Sequence, residues 1–129
     1  MAKSKFPPLL HLTYVLQQAS EELLLREAGV SLSHARIMSG LSPSIAKSQR
    51  QLAVELRQTE ANISRQLQAM KKLGLVSITK NKKDGRQRDV KLTAKGSGKY
   101  QKAEELLVKE QSNLVRLVDF DAQKLLTNL

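Results

Sequence analysis

The chain has 129 residues, 40% of them apolar and 26% charged, and it contains no cysteine. That length and balance suit one globular domain with a real core and exclude a disordered or fibrous chain. The empty cysteine count excludes disulfides, thiolate metal sites and a cysteine nucleophile, and suits a reducing compartment.

The net charge is +10, and its excess is local: residues 1–45 carry four basic and three acidic side chains, residues 46–100 fourteen and four, residues 101–129 four and five. A basic middle between near-neutral, leucine-rich flanks is the pattern of a nucleic-acid-binding module on a separate scaffold. Composition alone leaves a merely solvated basic surface as an equal alternative. Phe6, Tyr14 and Phe120 lie outside the basic segment and Tyr100 only at its last position, so no platform for stacking unpaired bases is predicted, and duplex DNA is favoured. Pro7, Pro8, His11 and Gln17 interrupt the apolar N-terminus, which predicts neither a cleaved leader nor a membrane span and a cytoplasmic, nucleoid-associated protein.

The elements follow in order. Leu9, Leu12, Leu16, Ala19 and Leu23 recur at helical spacing over residues 9–28, started by Pro7-Pro8 and stopped by Gly29-Val30. Ser31 caps a second helix to about Leu41, ended by Ser42-Pro43-Ser44. Ser48 and Gln51 have the capping-box spacing, with the glutamine expected to reach back to the serine amide, and open a short helix bearing Leu52, Ala53 and Leu56. Arg57-Gln58 reads as a turn, and Thr59 as the cap of a helix that turns Ile63, Leu67 and Met70 inward and stops at Gly74. Alternation around Val76-Ile78 and Val90-Leu92 predicts two strands, joined by the basic loop Asn81-Lys82-Lys83-Asp84-Gly85-Arg86 with its Asp-Gly turn signal. After Thr93 a long helix is expected to about residue 118, and Asp119 or Asp121 is expected to cap a last short one with Leu125, Leu126 and Leu129.

Two short helices joined by a tight turn and followed at once by a basic hairpin make a winged helix-turn-helix. Residues 30–96 resemble the multiple-antibiotic-resistance-regulator (MarR) family of bacterial transcription regulators. The resemblance rests on Leu52-Ala53 with Leu56, on Ile63-Ser64-Arg65 followed by Gly74-Leu75-Val76, and on Asp84-x-Arg86 six residues before Leu92-Thr93-x-Lys95-Gly96. It implies a mainly α fold with a small β-hairpin wing, in one domain over residues 1–129. Residues 30–96 would form the DNA-binding lobe, and residues 6–29 and 97–129 the helices that interlock two copies into a homodimer. A monomer whose end helices cover one another is the alternative.

Candidate DNA contacts on the recognition helix are Thr59, Ala61, Asn62, Ser64, Arg65 and Gln66, with Gln58 beside them; Asn, Gln and Arg are the side chains able to bind base edges with two hydrogen bonds. Lys82, Lys83, Asp84, Arg86 and Arg88 are the wing candidates, where an arginine on a thin hairpin can enter the minor groove, and Asp84 by resemblance orients the wing. Ser48, Gln49 and Arg50 are assigned to the DNA backbone. Lys71 and Lys72 lie where they complement the helix dipole. By resemblance a small aromatic or anionic effector is expected between scaffold and DNA-binding lobe, with His11, Tyr14, His34 and Met38 as candidate lining. No catalytic constellation, cofactor or metal site is predicted; His11, His34 and Glu21 are the nearest approach to a zinc set. The sequence thus points to a specific duplex-DNA-binding regulator, a repressor acting on a pseudo-palindromic operator. A non-specific architectural DNA-binding protein and a winged-helix module that docks an acidic protein stand as alternatives.

Overall fold

The computed structural model describes residues 6–127, with side chains to residue 112. Five helices and a small sheet follow one another as α1 (Pro8–Glu27), α2 (Leu32–Ser39), β1 (Lys47–Ser48), α3 (Gln49–Leu56), α4 (Glu60–Lys72), β2 (Val76–Lys80), β3 (Arg88–Leu92) and α5 (Ala94–Thr127). The sheet is antiparallel in the order β1-β3-β2, with Val76 opposite Leu92 and Ile78 opposite Val90.

The helix ends form where the local chemistry demands them. Pro8 opens α1, where a missing amide proton costs nothing, and Gly29 closes it at φ +67° while Val30 turns inward and donates to the Leu24 carbonyl at 3.4 Å. Ser31 Oγ accepts from the His34 amide at 3.0 Å, and Glu21 Oε2 accepts from the Leu32 amide at 2.7 Å, so α2 begins doubly capped. Ser48 Oγ accepts from the Gln51 amide (3.0 Å) and Thr59 Oγ1 from the Asn62 amide (3.1 Å), as the caps predicted from sequence require. The reciprocal half of the expected capping box is absent: the Gln51 amide group points along α3 and donates to Glu55 Oε1 at 3.2 Å, an i,i+4 partner.

Between α3 and α4 the chain turns on Arg57, whose left-handed backbone (φ 56°, ψ 45°) lets the Gln58 amide bond back to the Ala53 carbonyl at 3.0 Å. α4 ends in a Schellman closure: Gly74 at φ +76°, Leu75 N–H to Met70 O at 2.9 Å and Gly74 N–H to Lys71 O at 3.0 Å.

Two expectations are corrected. The hairpin gains a third strand, because Lys47-Ser48 pairs with β3, Lys47 opposite Val90 and Ser48 opposite Asp89; two residues are too few to show alternation. The break expected at Asp119–Asp121 does not occur, and α5 runs on through Thr127, a stretch with neither Gly nor Pro after Gly98. The side chains of Leu114, Leu117, Val118, Leu125 and Leu126, and the whole of Leu129, lie outside the described residues.

One core packs Ile37, Met38, Leu52, Ile63, Leu67, Met70 and Val90, all fully buried, under the helix-turn-helix and sheet. Burial of each such side chain contributes about 1.5–3 kcal/mol. A smaller cluster of Leu24, Ala35 and Ala103 ties α1 and α2 to α5. The first half of α1 is different: Leu9 is 71% exposed, and Leu10, Leu12 and Val15 are exposed as well.

Thr93 joins the wing to α5. Its hydroxyl accepts from the Gly96 amide at 3.0 Å and donates to the Gly74 carbonyl at 2.5 Å, while its own amide donates to the Leu75 carbonyl at 3.1 Å. Gly96 lies so near that carbonyl that an added Cβ would overlap its oxygen, whereas a Cβ on Gly98 would meet nothing within 4 Å. Gly96→Ala is therefore expected to lower the unfolding free energy by about 3 kcal/mol or more, because a backbone carbonyl cannot give way, while Gly98→Ala raises it by about 1 kcal/mol. Urea titration of both variants checks the contrast. Arg57→Gly should raise stability by about 0.5–1 kcal/mol, since the left-handed backbone costs a side-chain-bearing residue about 1–2 kcal/mol and the glycine loses part of that gain to chain entropy; thermal unfolding reads this directly.

Candidate nucleic-acid interface

The N-terminal ends of α3 and α4 and the wing enclose an open groove of about 540 Å³. It is lined by Ser48, Gln49 and Arg50 at the start of α3, by Glu60 at the start of α4, and by Asp84, Arg86, Gln87 and Arg88 of the wing. The structure thus brings together the residues assigned to the DNA backbone and three of the five wing candidates. Lys82 and Lys83 are exposed on the same loop, outside this lining.

The wing is held by polar side chains that bond its own backbone. Asn81 Oδ1 accepts from the amides of Lys83 (2.8 Å) and Asp84 (3.0 Å), and Asn81 Nδ2 donates to Asp89 Oδ2 at 3.0 Å. Asp84 Oδ1 accepts from the Arg86 amide at 3.0 Å, and the Asp84 carbonyl from the Gln87 amide at 3.0 Å. Asp84 is thereby a turn former. Gly85 is not left-handed, so Asp-Gly marks a turn inside a longer loop rather than a two-residue hairpin. Among the described residues the ion pairs are Arg26–Glu27 and Lys47–Glu55, so Lys82, Lys83, Arg86 and Arg88 have no carboxylate within 4.0 Å. The Lys47 ammonium, 2.6 Å from Glu55 Oε2, holds the Glu55 carboxyl below its ordinary range.

On α4, Ile63, Leu67 and Met70 face the core, so Ala61, Arg65, Gln68 and Lys72 stand exposed on the other side. Ser64 is half-buried and Thr59 exposed. Asn62 and Gln66 flank the exposed stripe and meet Gln58: Asn62 Nδ2 donates to Gln58 Oε1 at 2.7 Å, and Gln66 Nε2 to the same oxygen at 3.1 Å. Gln68 escaped the sequence analysis, although the i, i+3, i+7 spacing from Arg65 to Gln68 and Lys72 carried the signal. Asn81, Gln87 and Glu60 escaped it as well; only the loop's folded shape gives Asn81 its role.

The four candidate effector residues line neither this groove nor the cavity between α2 and α5. Met38 is fully buried in the lobe's core, Tyr14 is exposed on α1, and His11 is exposed one turn before it. His34 is half-buried on α2; burial lowers its pKa below the ordinary histidine value and the Glu21 charge opposes that. A cavity of about 320 Å³ lies between α2 and α5 and is lined by Leu32, Ala35, Arg36, Tyr100, Glu104 and Leu107 among others. Among the described residues no His, Cys, Asp and Glu cluster could hold a metal ion, and no helix is long and apolar enough to cross a membrane.

No curated protein matches the sequence significantly. Residues 28–87 match the model of the MarR family. Solved structures are similar over almost the whole chain. The M. tuberculosis transcriptional regulator MOSR in complex with DNA is 24% identical, with a TM-score of 0.71 over 91% of this chain and 89% of that one. NadR in complex with 4-hydroxyphenylacetate is 22% identical, with a TM-score of 0.71 over 100% and 94%. The transcriptional repressor CouR bound to a DNA duplex is 23% identical, with a TM-score of 0.70 over 98% and 95%. The family match spans the helix-turn-helix and the wing as far as residue 87, and the fold of the chain is similar to those solved structures over nearly its whole length.

Proposed function

We propose that the chain is a transcription regulator, a repressor, that binds a pseudo-palindromic operator in duplex DNA as a homodimer, each copy laying α4 in a major groove and its wing in the flanking minor groove. The groove between α3, α4 and the wing carries this reading: Arg50, Arg86 and Arg88 line it beside the exposed face of α4. Cations without carboxylate partners suit phosphate, because no ion pair must break when the DNA arrives. Ser48, Gln49 and Arg50 at the start of α3 hold the backbone, Thr59, Ala61, Asn62, Ser64 and Arg65 approach the bases with Gln66 bracing them from behind, and Lys82, Lys83, Arg86 and Arg88 serve the wing. Asp84 shapes the loop that presents them.

The uncovered stripe of Leu9, Leu12 and Val15 on α1 supports the dimer, since a contiguous apolar face of this kind is rare on a monomer. A small aromatic or anionic effector fits the α2–α5 cavity, where Arg36 offers a charge for an anion and Tyr100 a ring; NadR, solved with such a ligand, is similar in fold. His11, Tyr14, His34 and Met38 do not line that cavity. The chain is not read as an enzyme, and no cofactor is assigned to it.

Fluorescence anisotropy with duplexes of selected and random sequence tests the DNA reading. Arg86→Ala should weaken binding to every duplex with little change of preference, whereas Arg65→Ala, if it removes a base contact, should cost about 1–3 kcal/mol on the selected site alone. Affinity should fall roughly a thousandfold or more between about 50 and 200 mM salt, as expected for about 6 to 10 neutralised phosphates. A flat salt response, or parent-like binding by both variants, would turn the reading toward an acidic protein partner. Sedimentation at micromolar concentration should give twice the 14.4 kDa chain mass; a stable monomer would refute the dimer.

A further inference from the structure

We propose that Asn62 reads an adenine in the operator, and that Gln58 and Gln66 are positioning residues that aim it. This rests on the DNA-binding reading above and sharpens it. Adenine shows the major groove an acceptor, N7, beside a donor, the N6 amino group, so its reader must present one N–H and one oxygen from the same planar group. Arginine and lysine carry donors only, which leaves the carboxamides.

The three amides at the start of α4 are not equivalent. The Gln58 oxygen takes a hydrogen bond from Asn62 at 2.7 Å and another from Gln66 at 3.1 Å, so both its lone pairs are used and only its N–H donors remain. Gln66 Oε1 is the one buried side-chain polar atom without a partner among the described residues, and being buried it cannot reach a base. Asn62 spends a single N–H on Gln58. Its second N–H and its oxygen stay available, and that oxygen is not among the buried unpaired atoms. Of these three, only Asn62 therefore keeps the donor and acceptor that adenine needs.

Position agrees with chemistry. Asn62 lies in the first turn of α4, its backbone amide held by Thr59 Oγ1 at 3.1 Å, and residues at the start of a recognition helix are the ones that meet base edges. The bond to Gln58 holds the Asn62 carboxamide in one orientation before DNA arrives, which lowers the entropy lost on docking. Gln58 belongs to the turn between α3 and α4, so the brace ties that turn to the first two turns of α4.

The test selects half-sites from a pool of random duplexes with the full chain, then measures affinity by anisotropy. The expected site holds an A·T pair at one invariant position, where exchange for G·C weakens the parent roughly 5- to 150-fold. Adenine replaced there by 7-deazaadenine, which lacks the N7 acceptor, should weaken it roughly fivefold. Asn62→Ala should bind all three duplexes alike. Gln58→Leu should lose the same discrimination while keeping its preference at the other positions, an effect that a general loss of stability would not produce. The 7-deazaadenine comparison uses the unaltered protein and so decides the matter even if a variant folds poorly. No enrichment from the pool would overturn the DNA reading itself. Enrichment without such an adenine, or a selected site unchanged in Asn62→Ala, would overturn the role of Asn62 alone.

Discussion

The backbone at Leu75 carries three constraints at once, and the aim of α4 and the wing depends on them. The Leu75 amide closes α4 on the Met70 carbonyl, its own carbonyl accepts from Thr93 at the end of the wing, and Gly96 in the first turn of α5 packs against that same carbonyl. α4, the wing and α5 therefore meet at one peptide. A side chain at Gly96 would force them apart, which gives the glycine of the Leu-Thr-x-x-Gly run a packing reason. Two lysines extend the joint: Lys95 Nζ donates to the Leu73 carbonyl at 2.9 Å, and Lys99 Nζ to the Ala28 carbonyl at 3.0 Å. Each places a positive charge on the C-terminal end of another helix, where the dipole favours it. α5 thus holds the ends of both α4 and α1.

Around that joint the polar side chains divide their work. Those that shape the backbone, Ser31, Ser48, Thr59, Asn81, Asp84 and Thr93, spend their oxygens on nearby amides. The cations of the wing loop are left without acidic partners, and of the four only Arg88 bonds the loop itself, its guanidinium donating to the Gly85 carbonyl at 3.4 Å. Neutralising Lys82, Lys83 or Arg86 should alter what the wing meets without altering how it folds. The two carboxylates of the groove, Glu60 and Asp84, also keep it from being uniformly positive. A groove of mixed sign takes an anion beside the arginines and opposes it near the carboxylates, so the proposed interface would favour one docking register over many.

Helix starts, helix stops and the strand pair were legible in the sequence because each is decided within a few residues. A serine or threonine oxygen reaches an amide three positions on, a glycine tolerates the left-handed backbone, and alternation needs only one strand's length. Ser31, Ser48, Thr59, Gly29 and Gly74 all act as those local rules require. The rules failed where two options were locally equal. Gln51 could bond the Ser48 amide or Glu55 and chose Glu55, and the aspartates at 119 and 121 could cap a new helix or lie within α5, whose backbone simply continues.

By itself, then, the sequence determined the order of elements, the inward faces of α3 and α4, and the concentration of positive charge in the middle of the chain, since periodicity and composition are properties of short windows. Only the tertiary structure decided that Lys47-Ser48 would add a strand, that Arg50 would share a groove with Arg86 and Arg88, and that one oxygen of Gln58 would hold both Asn62 and Gln66. It also decided that Met38 would be buried in the core, and that the cavity beside α2 would be closed by α5, some 65 residues along the chain. These are relations between distant segments. They depend on how helices pack and where the chain crosses itself, which no local pattern of apolar and polar residues encodes.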